Sequence, residues 1–481
     1  MKEGIAFGAQ GWQGRINEDF TEENIARVSH AFVRYLFQIS PSPVTPKAAI
    51  GFDGRKNSKE CASLVARVLA ANGVDTLLSS GVVPTAVLSF ATRHNSCTSG
   101  IMVTGGDDPS EYNGMEFKGA YGGPFMPAAT AKLEAFLSDR SEEPAGSTKA
   151  SCKEITLADF LPAYKSHLET LVDFSALRSF AQDPKNTANV LIDSMGGTGQ
   201  TIIEDILVSC GWRAQTLFGT PEDRFFDRRP ESVSENIDAL KYNVKVVDAQ
   251  FGVATDGSGN RCGIVYDEGR WMSMQETMLA LLWHMHEQKH WQGNILTSAY
   301  VTGRIKSLSS RWNIPHLDLG LENGVEEMCK SAFLIGAIGS GGFSFGRHLP
   351  ECDGILSGLF FAEMIAQSGK PLREIIQHLR DTLGQVYYRS VDIGYGLVEA
   401  RQLIANAAKS PPKSLISGRF ERMEVLEFGG GMKGTQFKLG DCRWLLIEHL
   451  PFKSIFRLHC EGESEEDVSA ILEWGEKLFK T

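Results

Sequence analysis

The chain has 481 residues, 42% of them hydrophobic and 22% charged, and carries a net charge of −11. This length favours several domains with ample core, and the composition is that of a globular protein rather than a disordered or fibrous one. The acidic balance argues against nucleic acid or an anionic membrane as partner, and no apolar run is long enough to span a bilayer.

Four segments follow in chain order: about 1–150, 154–262, 263–385 and 390–481. In the first, Ala48-Ala49-Ile50-Gly51-Phe52-Asp53 reads as a buried strand. Cys61 to Asn72 reads as an amphipathic helix closed by Gly73, and Gly100 to Thr104 as a further strand. The polar stretch Ser141 to Lys153, with Pro144 and Gly146, reads as a linker. In the second, the strand Asn189–Asp193 leads through Gly196-Gly197-Thr198-Gly199 into a helix from Gln200 to Ser209. The third shows strands near Ile264 and Tyr300 and helices around Gln275–His290 and Glu351–Gln367. The fourth shows strands at Arg422–Phe428, Trp444–Glu448 and Ile455–Glu461, then a helix opened by Ser464 with Asp467 at capping-box spacing. Alternating strands and helices imply an α/β class with mixed parallel sheets, and the last segment reads as α+β. Nine scattered cysteines form no C-x-x-C pair. With an odd count and no signal segment before the first strand, reduced thiols and a cytoplasmic location are expected.

Short motifs recur along the chain. Phe7-Gly8-Ala9-Gln10-Gly11-Trp12-Gln13-Gly14 is similar to FGTDGWRG, and Gly51-Phe52-Asp53-Gly54-Arg55 to GYDTR. Val83-Pro84-Thr85 with Ser89-Phe90 is similar to PTP…SFA. Val103-Thr104-Gly105-Gly106-Asp107-Asp108-Pro109, followed by Tyr112-Asn113-Gly114, has the outline of TASHNP and YNG. Arg229-Pro230-Glu231, Glu235-Asn236, Asp353-Gly354-Ile355 and Gly369-Lys370-Pro371-Leu372 continue the series. Over nearly its whole length the chain resembles the α-D-phosphohexomutases, the phosphoglucomutases, phosphomannomutases and their relatives. The resemblance implies a four-domain scaffold around a central cleft, with three α/β/α domains and a C-terminal TBP-like α+β domain.

The same resemblance implies five chemical elements, each altered here. The phosphorylated serine is replaced by Gly106, which has no side chain to phosphorylate. Asp107 and Asp108 are neighbouring carboxylates that either carry chemistry or only bond backbone amides of a Gly-Gly turn. The metal loop DGDGD-R is Asp256-Gly257-Ser258-Gly259-Asn260-Arg261. One carboxylate, Asp256, is left where Ser258 and Asn260 replace aspartates, so no cofactor is expected and magnesium only weakly. Arg261 reads equally as a structural ion pair or an anion ligand. The sugar loop GEESGG keeps Ser340, Gly341 and Gly342, with Ile338 and Gly339 at the glutamate positions. The phosphate loop RPSGTEP becomes Glu448 to Ser454, leaving Lys453 as its positive group. Glu116 holds the place of the NGFK lysine, and Lys118, two residues on, either covers that role or is a solvated strand lysine. Gln13 replaces the arginine of GWRG.

Two further motifs compete. His286-Glu287-Gln288-Lys289-His290 spells HExxH, which on one helix face would bind zinc for a hydrolase; a chance match at a helix end is the other reading. Gly429-Gly430-Gly431 reads as a hairpin loop rather than a phosphate cradle. With all five elements altered and the framework kept, the expectation is a pseudoenzyme: a non-catalytic regulatory protein that binds a carbohydrate, another small ligand or a protein. The alternative is a sugar-phosphate mutase or transferase with an altered mechanism.

Overall fold

The structure is a computed structural model that describes residues 5, 7–8, 11–138, 152–319, 324–338, 341–394, 422–427, 433–440, 442–450 and 455–478. Ser340, Lys453, Gly429 to Gly431 and most of the expected linker lie outside the described residues. The chain divides into two compact units. The first comprises Met1–Met272, Val325–Lys330 and Gly341–Arg373, and the second Ser273–Gly324, Ser331–Ser340 and Glu374–Thr481.

The first unit holds two sheets. One contains β1 (Gly11–Arg15), β2 (Lys47–Phe52), β3 (Asp75–Ser79), β4 (Ser99–Val103), β5 (Tyr112–Gly119), β6 (Gly123–Pro124) and β7 (Ile155–Ala158). Their order is β1-β5-β4-β2-β3-β7, with β6 on β5. Strands β4, β2, β3 and β7 run parallel, and β5 and β1 turn antiparallel. The apolar run of β2 is central because it is buried on both faces. Helix Glu22–Ile39 starts at Thr21, whose hydroxyl accepts from the Asn24 amide. Its Ile25, Val28, Phe32 and Leu36 recur at helical spacing and are buried, with Phe32 packed 5.3 Å from Phe117.

The second sheet is β8 (Asn189–Asp193), β9 (Arg213–Leu217), β10 (Phe251–Thr255), β11 (Cys262–Tyr266) and β12 (Arg270–Met272), in the order β12-β11-β10-β8-β9. The strand at Ile264, expected in the third segment, therefore belongs here: the short loop after Thr255 returns it antiparallel on β10.

In the second unit β13 (Asn294–Thr297), β14 (His316–Asp318) and β15 (Phe333–Ile338) run parallel with β13 between its neighbours. Tyr300 falls beyond β13 rather than in a strand, because its carbonyl is taken by the buried Gln275 side chain at 2.6 Å. Strand β16 (Gly342–Phe345) lies in the first unit, followed by helix Gly354–Ser368. That helix is capped by Asp353 and ended by Gly369 at φ 64°. The C-terminal sheet is antiparallel: β17 (Tyr387–Gly394), β18 (Arg422–Glu427), β19 (Lys433–Gly440), β20 (Arg443–Leu450) and β21 (Ile455–Gly462), in the order β17-β21-β20-β19-β18. Phe437, Leu445 and Phe456 pack against Val468 and Ile471 of the helix Glu465–Lys477. No helix among the described residues is long and apolar enough to cross a membrane, and none of the nine cysteines, all of them described, forms a disulfide.

Candidate functional site

The turn that carries Gly106 leaves β4 and returns through β5, and one arginine holds it. Arg55 donates to the carbonyls of Gly106 (2.9 Å), Asp108 (2.7 Å), Pro109 (2.7 Å) and Tyr112 (3.1 Å). Its guanidinium is fully buried, lies 4.8 Å from the Phe225 ring and pairs with Asp53 at 3.2 Å. Asp53 also accepts from Ser58 (2.6 Å) and from Thr104 (2.7 Å), whose hydroxyl takes the Gly106 amide at 3.0 Å. A buried arginine with four carbonyl partners leaves the turn little freedom. The motif match at Gly51–Arg55 marked these residues, but their task was not legible from it.

Gly106 itself is open. It sits at φ 59°, and among the described residues a Cβ there would meet only the Gln13 amide nitrogen and a Glu116 carboxylate oxygen, each at 3.8 Å. Behind it lies a buried charge cluster. Lys118 is 0% exposed, not a solvated strand lysine, and donates to Glu116 at 3.0 Å and Glu351 at 2.8 Å. Ser89 donates to Glu351 at 2.8 Å. Burial by itself lowers the Lys118 pKa, but Glu351 and Glu116 outweigh it and raise it above the ordinary lysine value. Burial likewise raises Glu116, against the Lys118 charge. Glu351 had no signal in the sequence reading, since it reaches this cluster across 233 residues.

The Gly106 turn, the Asp256 loop and the Gly341 segment are brought together. Arg261 Nη1 meets Asp107 Oδ2 at 2.5 Å, so Arg261 forms an ion pair with the side chain next to Gly106. Asp108 is buried and its amide closes the turn on Gly105. The backbone of Arg261 bridges to Gly342, and Cys262 donates to the Gly341 carbonyl at 3.2 Å. Asp256 is turned inward: one oxygen accepts from the amides of Asn260 (2.8 Å) and Arg261 (3.1 Å), the other from Ser258 at 3.0 Å. Burial pushes its pKa up to about 6, against the Arg261 charge. The one carboxylate left in this loop is buried and already committed to two amides and a hydroxyl, so the loop offers a hard divalent cation little of the charged oxygen that such an ion takes from a protein. Among the described residues no group of three His, Cys, Asp or Glu side chains could hold a metal.

In the second unit Glu448 accepts from Tyr300 and from His459 Nε2 at 3.2 Å. Burial opposes its ionisation, but the His459 and Tyr300 hydrogen bonds outweigh burial and lower its pKa. Helix geometry does not support the zinc reading, the minor alternative for His286-Glu287-Gln288-Lys289-His290. The helix Met274–Trp283 loosens into a π-turn over His284–Gln288, and His290 lies beyond it at φ 53°. His286 instead packs 4.3 Å from the Trp312 ring. The two histidines share no helix face.

Family models of the phosphoglucomutase/phosphomannomutase α/β/α domains match in order: domain I over residues 4–144, domain II over 162–269 and domain III over 274–382. A Methanobrevibacter smithii protein named as a probable phosphoglucosamine mutase is 25% identical over 478 residues, covering 98% of each chain. The crystal structure of a candidate phosphomannomutase from Thermus thermophilus covers 99% of each chain at 26% identity and a TM-score of 0.83. Aspergillus fumigatus N-acetylphosphoglucosamine mutase, solved with GlcNAc-6P and magnesium, shares the fold at 10% identity and a TM-score of 0.52, over 96% of this chain and 93% of its own. These end-to-end matches to proteins named as mutases overturn the expectation of a non-catalytic binding protein, and nothing in them marks a lost activity. The chain belongs to the phosphoglucomutase/phosphomannomutase family.

Proposed function

We propose that the chain is a hexose-phosphate mutase, an intramolecular phosphotransferase of carbohydrate metabolism that works without the serine. The observation that carries this reading is the Asp107 carboxylate, held by Arg261 one residue after Gly106. Full-length likeness to named mutases supports the reaction class, and their names suggest a hexose or hexosamine phosphate as substrate. Moving a phosphoryl group between two sugar oxygens needs an oxygen nucleophile, a fixed positive charge and a proton carrier. Asp107 supplies the oxygen, Arg261 the charge and Glu116, beside the open space at Gly106, the proton.

In the proposed step an Asp107 oxygen attacks the phosphorus of the sugar phosphate. The bond from phosphorus to the sugar oxygen breaks, that oxygen takes the Glu116 proton, and an aspartyl phosphate forms. In the return step a second sugar hydroxyl gives its proton to Glu116, attacks the aspartyl phosphate and restores the carboxylate. Magnesium enters neither step; we expect it to bind no tighter than about millimolar, because affinity follows ligand charge. A cytoplasmic setting and a ligand that is neither nucleic acid nor membrane complete the proposal.

The test is phosphorus NMR of glucose, mannose and glucosamine 1-phosphates with the enzyme and a bisphosphate activator. Conversion of one of them to its 6-phosphate, with a hydroxylamine-labile phosphoprotein, is expected, and Asp107→Asn should lose both. No conversion of any substrate rejects the reading, and full turnover by Asp107→Asn rejects the role of Asp107.

A further inference from the structure

A cavity of about 220 Å³ opens in the second unit among the loop after β13, strand β14 and one face of the C-terminal sheet. The two faces of that sheet differ in kind. Phe437, Leu439, Leu445 and Ile447 belong to the apolar core under the last helix. Strand alternation sends Gln436, Lys438 and Trp444 to the other face, with Lys438 directly across from Trp444, and all three line the cavity.

The lining selects for an anion. Lys306 and Lys438 bring two ammonium groups, and among the described lining residues Asp318 is the one carboxylate, 4.0 Å from Lys438 Nζ. Ser298 is 4% exposed, and its hydroxyl is buried with no hydrogen-bond partner among the described residues. A buried polar group of this kind needs a ligand atom or a water. Thr297 Oγ1 and His316 Nε2 stand 2.7 Å apart. Burial lowers the imidazole pKa, against Asp318 and together with Lys306, so His316 is neutral at pH 7 and offers hydrogen bonding rather than charge. A cation would meet two ammonium groups, and an apolar ligand would leave Ser298 unsatisfied. The volume lies below the roughly 300–1,000 Å³ of pockets for drug-sized ligands, which limits the occupant to a small molecule.

We propose that this cavity binds a small phosphorylated anion, held by Lys306, Lys438 and the Ser298 hydroxyl. The site is independent of the phosphoryl-transfer reading, since none of its residues takes part in that step. Its occupant is inorganic phosphate or a phosphate monoester, and titration with each distinguishes them.

Titration calorimetry of the full chain with inorganic phosphate, in a phosphate-free buffer, tests the proposal. One saturable site is expected, weakened roughly tenfold by Lys306→Gln or by Lys438→Gln, as for loss of one charge-assisted hydrogen bond. The double variant should abolish it, Ser298→Ala should weaken it a few-fold, and Arg261→Gln should leave it in place. Lys306 is exposed, so Lys306→Gln keeps the test readable if the Lys438 variant fails to fold. Glucose 6-phosphate that competes with phosphate for this site assigns it to a monoester; failure to compete assigns it to the free ion. The absence of saturable binding overturns the proposal and leaves a water as the partner of Ser298. Binding that survives the double variant but disappears with Arg261→Gln overturns it as well.

Discussion

Arg261 Nη1 and Asp107 Oδ2 stand 2.5 Å apart, joining the loop after β10 to the turn after β4. Both side chains are about a quarter exposed, so the pair is open to a ligand and is not sealed in the core. Under the proposed reaction the guanidinium also steadies the charge on the transferred phosphoryl group. Arg261→Gln should therefore lower kcat by roughly two to three orders of magnitude, the scale seen when a charge-stabilising donor is removed. Arg261→Lys should recover only part of this, because an ammonium cannot reproduce the planar fork. Steady-state kinetics on whichever sugar phosphate is turned over decides; an unchanged kcat in Arg261→Gln would remove the residue from the reaction.

Arg55 should matter for stability before it matters for rate. Arg55→Met leaves the buried Asp53 unpaired and four turn carbonyls without their donor. A loss of about 3–5 kcal/mol is expected, as for breaking one side of a buried pair. Urea denaturation measures it, and a loss under about 1 kcal/mol, the worth of a single ordinary hydrogen bond, would mean that the turn holds itself.

Adjacent glycines should respond differently. Gly106 has room for a Cβ but a left-handed φ of 59°, so Gly106→Ser should fold at a cost of about 1 kcal/mol. A Cβ on Gly105 would stand 2.9 Å from the Arg55 guanidinium and the Tyr112 carbonyl, so Gly105→Ala should cost clearly more. Thermal melts of the two variants, with the order reversed, would contradict this reading of the turn.

The buried cluster behind Gly106 gives a pH signature. Lys118→Met removes the single positive charge between Glu116 and Glu351 and should cost on the order of 3–5 kcal/mol near neutral pH. Burial already raises the Glu116 carboxyl against the Lys118 charge, so without that charge it would take up a proton in the folded state at a pH where the unfolded chain has released it. The variant should thus regain stability as pH falls from about 8 toward about 5. A variant whose loss is the same at both ends of that range would show that the lysine acts through packing alone.

Asp256 should act in the same direction in the wild-type chain. Its folded pKa of about 6 lies above the ordinary 3.8, so the folded state binds more protons between those values. Its contribution is full below the unfolded pKa and is lost as pH rises through about 6, a change on the order of 3 kcal/mol. Asp256→Asn keeps an acceptor for the Asn260 and Arg261 amides and should flatten this part of the stability profile. Denaturation midpoints measured at about pH 4.5 and about pH 7.5 for both proteins test it.

The sequence by itself determined the family, the strand-helix alternation and the loss of the serine and two loop aspartates, because each is local: a motif, a period or a residue type at one position. It also marked Ser464 as a helix cap, and the structure places its hydroxyl on the Asp467 amide at 3.2 Å. The tertiary structure alone decided what fills the altered site. Lys118 reads as a solvated strand residue until Glu351, 233 positions away, is folded against it. Asp107 reads as a turn residue until Arg261 arrives from 154 positions away. His286 and His290 read as one helix face until the backbone opens a π-turn between Trp283 and Lys289. Partners for buried charge come from chain segments that only packing brings together, and no local pattern records which carboxylate will meet which cation.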